Sequence, residues 1–71
     1  MDQTGHNRLT PRELEVLVLI ADGLTTKKIA LKLGIAFKTA ACHRSRIMTK
    51  FNVTNAVELL RAAIRAGLVK P

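Results

Sequence analysis

The stretch of the chain that decides the fold reads TTKKIALKLGIAFKTAACHRSRIMTK, residues 25–50. Its hydrophobic spacing predicts one helix near 26–33, with Thr25 as the N-cap, and a second near 37–50. Only Gly34-Ile35-Ala36 lies between them. Two short helices joined by a three-residue turn that begins with glycine are typical of a helix-turn-helix motif, although other helix hairpins share this turn.

Two further helices flank this motif. Thr10-Pro11-Arg12-Glu13 has the residues of a capping box with proline at the first helical position, which predicts a helix near 11–22. Asn55 is the expected N-cap of a helix near 56–66 with an apolar stripe at helical spacing. Strand-like alternation is absent from the sequence. The fold class is therefore expected to be all-α, with four helices.

The chain has 71 residues, which allows one small domain with little room for an enclosed active site. We expect residues 9–71 to form that domain and the polar residues 1–8 to be a disordered arm. The single cysteine excludes an intramolecular disulfide. The sequence shows neither a signal peptide nor an apolar run long enough to span a bilayer, so we expect a cytoplasmic protein without membrane contact.

The distribution of charge says more than the formal net charge of +7. No acidic residue occurs between Gly23 and Val57, which favours a surface for a polyanion such as nucleic acid. An acidic membrane or protein partner, or a solvated face that keeps the protein soluble, are the alternatives. The bases of this stretch are Lys27, Lys28, Lys32, Lys38, Arg44, Arg46 and Lys50.

A helical wheel divides the third helix into two sides. The core side is expected to carry Ala40, Ile47 and Phe51. The opposite side is small and polar with cations around it, which suits a helix in a major groove. Lys38 on this side and Arg46 on one flank have the reach for base edges. The other members of this side are Ala41 and Cys42, which suit thymine methyl groups, and the polar Ser45 and Thr49.

Other chemistry at the third helix has weaker support. His43 has no partner at metal-ligand spacing and no nearby acid for catalysis, so we expect a half-buried histidine that donates to a phosphate or a carbonyl. Cys42 between basic residues is a possible redox switch, but a small groove-facing residue explains it more simply. We therefore predict no metal, no cofactor and no enzymatic activity.

The ordered motifs of residues 9–69 resemble the LuxR-type (FixJ/GerE-type) DNA-binding domains of bacterial transcription regulators. The resemblance begins with Leu9-Thr10-Pro11-Arg12-Glu13-Leu14-Glu15-Val16-Leu17 and Ile20-Ala21-Asp22-Gly23-Leu24. It continues through Lys28-Ile29-Ala30, Leu33-Gly34-Ile35, Lys38-Thr39, His43-Arg44-Ser45, Ile47-Met48, Lys50 and Val53, and ends with Glu58-Leu59, Ala63-Ile64 and Gly67-Leu68.

This resemblance implies four helices, the third in the major groove of double-stranded DNA, and homodimers formed through the fourth helix. It places base contacts at Ala41, Cys42 and Ser45. Phosphate contacts are implied near Thr26, Lys27, Thr39, His43 and Lys50, and the charge pattern adds Lys28 and Arg44. The amphipathic face of the fourth helix predicts a dimer interface of Val57, Leu60, Arg61 and Ile64.

Several residues depart from the family pattern. Ala41 and Ser45 stand where a long basic residue is frequent, and Lys28 stands where an acid is common. Ala36 replaces the usual Ser or Thr cap of the third helix, and Ala40 replaces a valine. These changes shift binding from base contacts toward phosphate attraction, so we expect lower sequence specificity and a steep salt dependence.

Other functions remain open at the sequence level. A protein-interaction module would heterodimerise through the fourth helix and titrate another regulator, without needing Lys27, Lys38 or Arg46. A sigma-factor-like promoter-reading domain would share the turn but lack a self-dimerising fourth helix. Leu14 and Val18 are expected to be exposed on the first helix, where they suit contact with RNA polymerase or a regulatory domain.

Overall fold

A computed structural model describes residues 9–71 of the chain. This part contains four α-helices and no strand: α1 (Pro11–Ala21), α2 (Thr26–Leu33), α3 (Phe37–Phe51) and α4 (Ala56–Arg65). The predicted all-α fold class is confirmed. Residues 1–8, for which we expected a disordered arm, lie outside the described residues.

The helix boundaries follow the predictions to within one residue. α3 extends to Phe51, one residue beyond the expected end, because Asn52 is the residue that takes the left-handed conformation, with φ of 56°. Asparagine tolerates this region better than most side chains do. α1 and α4 each end one residue early, since Asp22 and Ala66 are their C-caps.

All four helices contribute side chains to one core. α2 and α3 pack against each other, α1 packs on both, and α4 packs against α3. The larger buried side chains include Leu17, Ile29, Ile47 and Leu59, each at most 1% exposed. Because these residues come from four different helices, the orientation of α3 is set by its contacts with every other helix.

The turn between α2 and α3 has the hydrogen bonds that the glycine signal predicts. Gly34 adopts φ of 68°, and its amide donates to the Leu31 carbonyl at 3.3 Å. The Ile35 amide donates to the Ala30 carbonyl at 3.0 Å. These two bonds satisfy carbonyls at the end of α2, as in a Schellman motif, so the chain leaves α2 in a defined direction and α3 begins only three residues later.

Three of the helices have a capped N-terminus and one does not. The predicted capping box of α1 is present, with Glu13 donating its amide to Thr10 Oγ1 at 3.1 Å and Thr10 donating to Glu13 Oε1 at 3.0 Å. Side chains of Thr25 and Asn55 cap α2 and α4. Ala36 makes no such bond, as its side chain has no acceptor. The first amides of α3 therefore lack a side-chain partner from the N-cap.

None of the helices within residues 9–71 has the length and apolar character needed to cross a bilayer.

The uncapped start of α3 generates a stability prediction. Ala36 is exposed and already has the extended backbone of an N-cap, with φ of −66° and ψ of 148°. We expect Ala36→Ser to raise the free energy of unfolding by about 1 kcal/mol, because the new hydroxyl accepts from an unsatisfied amide of the first turn. Urea unfolding followed by circular dichroism measures the difference.

Ala62→Ser, in the interior of α4, is the matched control. Its hydroxyl meets no orphan amide, so it should lower stability by a few tenths of a kcal/mol. Equal effects of the two substitutions would contradict the capping explanation.

Candidate nucleic-acid interface

The two sides of α3 are divided as the wheel predicts. Ala40 and Ile47 are at most 1% exposed, and Phe51 is half-buried against the core. On the opposite side Ala41 is half-buried and the remaining members are exposed, namely Lys38, Cys42, Ser45 and Thr49. A surface of short side chains allows close approach of the helix backbone to another molecule.

Cations border this surface on both flanks. Arg46 is exposed on one flank, and Arg44 is half-buried on the other. A depression on the Arg44 side also includes Thr26, at the start of α2, together with Ala41 and Ser45 of α3. The fold thus brings a predicted phosphate contact of α2 next to predicted base contacts of α3.

The start of α2 carries two cations at a position that the helix dipole disfavours. Lys27 and Lys28 are exposed in its first turn, where no acidic residue is present. The positive end of the helix dipole lies there, so two cations are unfavourable by a few tenths of a kcal/mol each. The N-terminal amides, the dipole and the lysines together create a positive potential that suits a phosphate.

Lys50 has a partner that the sequence did not reveal. Its Nζ donates to Glu13 Oε1 at 2.6 Å, which joins the last turn of α3 to the first turn of α1. The Glu13 side chain is 4% exposed and that of Lys50 is 29% exposed. Lys50 was predicted as a phosphate contact, and this remains a prediction. A phosphate would have to share the ammonium group with Glu13.

The environment of Glu13 favours its charged form. Burial raises the pKa of this carboxyl, but hydrogen bonds from Lys50 and the Thr10 amide oppose burial, as do the positive charges of Lys50 and Arg46. The result is a pKa below the usual value for glutamate. Glu13 is therefore a buried anion beside the basic flank of α3.

Sequence reasoning assigned Glu13 only to the capping box. The pairing with Lys50 spans 37 positions, and no local pattern predicts contacts at that separation. The sequence held only an indirect signal for this ion pair. Glu13 lies in the first turn of α1, and the chain has only five acids for twelve Lys and Arg residues.

His43 is half-buried, as predicted, and its donation to a phosphate remains a prediction. Its Nδ1 is buried and has no hydrogen-bond partner among the described residues. A contact of His43 with a phosphate would therefore have to involve Nε2. No group of three His, Cys, Asp or Glu side chains within residues 9–71 is arranged to hold a metal ion.

The apolar stripe of α4, whose edge is predicted to form a dimer, is only partly used by the core. Leu59 and Ala63 are fully buried, whereas Val57 is 62% and Ile64 is 36% exposed. Leu60 is half-buried and packs on the edge of the core. The apolar stripe of α4 is therefore wider than the part that the core covers, and its outer edge, with Val57 and Ile64, is exposed to solvent.

A second apolar surface lies on α1. Leu14 and Val18 are 38% and 40% exposed, which confirms their predicted exposure. They line an open apolar groove with Pro11, Leu19 and Leu33, and Glu15 and Lys32 are at its rim.

Four helices with a three-residue turn before a cation-bordered α3 define the helix-turn-helix class of DNA-binding domains. The sequence profile described as "Bacterial regulatory proteins, luxR family" matches residues 7–63. The chain therefore belongs to the LuxR family of bacterial regulatory proteins, and its domain is a DNA-binding domain for transcription regulation.

Individual relatives support this assignment. The chain is 48% identical over 65 residues to the Escherichia coli uncharacterized response regulatory protein YgeK, covering 92% of this chain and 44% of YgeK. It superposes on ChrA, the response regulator of a heme-sensing two-component system, with a TM-score of 0.83 at 30% identity, covering 97% of this chain and 32% of ChrA. VqmA from Vibrio cholera, solved in a ligand–DNA complex, gives 0.81 at 29% identity, with 96% and 28% covered. The chain thus spans less than half the length of these proteins.

The Glu13–Lys50 ion pair predicts a pH-dependent stability. At neutral pH, we expect Glu13→Gln to lower the free energy of unfolding by about 1–3 kcal/mol, because a hydrogen bond between charged groups is lost. A folded-state pKa below the usual value means that the contribution of Glu13 is present at neutral pH and is lost as the pH falls through that pKa. Urea unfolding of both proteins between about pH 3 and pH 7 should show the gap closing below about pH 4.

The control is Glu15→Gln. Glu15 pairs with Arg12 at 3.4 Å, and the two side chains are 60% and 44% exposed. Such a surface pair contributes less than about 1 kcal/mol. A stability gap for Glu13→Gln that stays constant across the pH range would contradict the assignment of a charged Glu13.

Proposed function

We propose that this chain binds double-stranded DNA sequence-specifically, with α3 in the major groove, and thereby regulates transcription. The observation that carries the proposal is the outward side of α3, where short side chains are exposed between cations and no acid is present. The major groove admits an α-helix, and short side chains let the helix backbone lie close to the base edges. DNA binding, rather than catalysis, is the activity that this surface supports, and a protein with this activity would work in the cytoplasm.

The proposed contacts divide into two groups. Base edges would be met by Lys38 and Arg46, which have the reach, and by the shorter Ala41, Cys42 and Ser45. Phosphates on both sides of the groove would be met by the flanks of α3 and the start of α2. The phosphate group comprises Thr26, Lys27, Lys28, Thr39, His43, Arg44 and Lys50.

The DNA complex of VqmA supports this proposal, because a domain with the same fold there belongs to a protein solved with DNA. The short reach of Ala41, Cys42 and Ser45 distinguishes the present chain. None of them forms the bidentate contact that an arginine makes with guanine, so phosphate attraction should supply much of the affinity.

We further propose that two copies bind one DNA site through α4. Val57, Leu60, Arg61 and Ile64 recur at helical spacing, and Val57 and Ile64 remain exposed beside the core. An apolar edge with a flanking arginine suits a symmetric interface, in which the same patch meets itself. Free domains would associate weakly, because one short helix buries little area.

Contact with RNA polymerase or a regulatory domain is proposed for the α1 groove. Leu14 and Val18 are exposed there beside Leu33, and relatives of this chain are two to three times longer.

A protein-interaction module is the second candidate function, and the exposed Val57 on α4 favours it. Such a module would heterodimerise with another regulator and would have no use for cations on α2 and α3. A salt-dependent affinity for DNA separates the two functions.

Titration with salt tests the leading proposal. If about six phosphates are contacted, log K for duplex DNA should fall with a slope of ~5 against log salt, because each contact releases a counterion. Fluorescence anisotropy of labelled random and pseudo-palindromic duplexes measures this slope. A slope near 1, or no binding at low salt, would favour the interaction module.

A pair of lysine substitutions sharpens this measurement. Lys27→Ala should lower the slope by ~1 on every duplex sequence, since it removes one phosphate contact. Lys70→Ala removes an equal charge beyond α4 and outside the proposed surface, so its slope should stay close to that of the wild type. An identical change in both variants would indicate general attraction to the positive charge.

The α4 interface predicts how many copies bind. Sedimentation of the wild-type chain on a pseudo-palindromic duplex should show two copies per duplex. We expect Val57→Asp to lose the second copy or to require at least tenfold more protein, because a charge enters an apolar contact. Val57 is 62% exposed, so the substitution leaves the core intact.

Val18→Asp is the matched control, since Val18 is a second exposed valine, on α1. This variant should still bind as two copies. Cooperative binding of two Val57→Asp chains would refute the α4 interface.

A further inference from the structure

An aromatic side chain stands exposed at the first position of α3. Phe37 is 59% exposed and is not among the partly buried hydrophobic residues that pack on the core in the described part of the chain. The family resemblance and the charge pattern assign it no role. Resting on the proposed DNA-binding function, we propose that Phe37 contacts a thymine C5-methyl group and is a specificity-determining residue of the DNA site.

The position of Phe37 on the helix supports this contact. Ala41 lies four residues later, so the two side chains share one line along the helix surface. Helical side chains lean toward the N-terminus, and Phe37 therefore extends the line of Ala41 past the end of α3. Lys38, on the outward side, is its neighbour in sequence. Phe37 thus borders the face that would enter the groove.

The chemistry of the major groove favours thymine as the group that Phe37 meets. The C5-methyl of thymine is the apolar group on a base edge in this groove, and phenylalanine is one of the side chains that contact it. Ala41 and Cys42 are apolar in character but short. A phenyl ring has far more apolar surface than either, so a methyl group that it covers loses more contact with water.

The surroundings favour DNA over a protein partner at this place. The nearest described charges in the sequence on either side are Lys32 and Lys38, and no acid lies between Gly23 and Val57. Protein interfaces bury several apolar side chains in a patch, with charged residues depleted at the centre. A single aromatic residue between cations instead suits an apolar contact within a polyanionic groove.

The test is a double-mutant cycle, which removes the methyl group from the DNA and the phenyl ring from the protein, singly and together. The preferred duplex of the wild-type chain is first selected from a random pool. Each thymidine of that duplex is then replaced singly by deoxyuridine, which lacks only the C5-methyl. Affinities of the wild type and Phe37→Ala are measured by fluorescence anisotropy at one salt concentration.

We expect deoxyuridine at one position of each half site to weaken wild-type binding about fourfold, the effect of losing one buried methyl group. For Phe37→Ala the same replacement should have no effect, and the variant should accept other bases at that position. Phe37→Leu should retain part of the sensitivity, because leucine keeps an apolar side chain of similar reach.

Leu31→Ala is the matched control. Leu31 is 74% exposed on α2, and its replacement should leave the sensitivity to deoxyuridine unchanged. Circular dichroism should show native helix content for all variants, since neither residue is buried.

Two results would overturn the inference: equal sensitivity of the wild type and Phe37→Ala at every thymidine, or an affinity loss for Phe37→Ala that is the same on all sequences. Both leave sequence-specific DNA binding intact, whereas a selection that yields no preferred duplex would refute the sequence specificity of the proposed function together with the role of Phe37. Failure to bind any duplex at low salt would instead refute the proposed function.

Discussion

A single carboxylate joins the two parts of the domain on which its proposed function depends. Glu13 accepts the Thr10 amide at the start of α1 and the Lys50 ammonium at the end of α3, within one largely buried site. Burying that charge is costly unless such partners are present, and here they lower its pKa. The pair therefore ties the last turn of the helix that would enter DNA to the first turn of the helix that supports it.

The fifteen residues of α3 contribute to two different surfaces, the core and the outward side. Ala40 and Ile47 fill the core, and the opposite side presents Cys42 and Ser45 to the solvent. A small alanine at position 40 lets α3 lie close to its neighbours, but it contributes less buried apolar area than a larger side chain would. In a domain of this size each buried residue is a large fraction of the total stability. Packing from three other helices and the Glu13 ion pair compensate for an α3 that lacks a capping side chain.

The apolar stripes of two helices extend beyond the residues that the core buries. α1 and α4 each carry an apolar stripe wider than the core requires, which leaves Val18 and Val57 exposed. Exposed apolar edges on two separate helices are consistent with a domain that works beside other chains or domains. The chain covers 44% of one relative and 28–32% of two structural neighbours.

The sequence by itself determined the elements that depend on local chemistry. The starts of α1, α2 and α4 followed from Thr10, Thr25 and Asn55, and the ends of these helices from glycines or their neighbours. The two sides of α3 followed from its periodicity. Each of these features is decided within one or two turns of chain. Tertiary structure alone decided that Lys50 meets Glu13 and that Phe37 remains uncovered. The Lys50–Glu13 contact joins positions 37 residues apart, and the exposure of Phe37 depends on how α2 and α3 are packed. Such properties arise from the relative placement of the helices. The packing of all four helices together determines that placement, and no local sequence pattern predicts it.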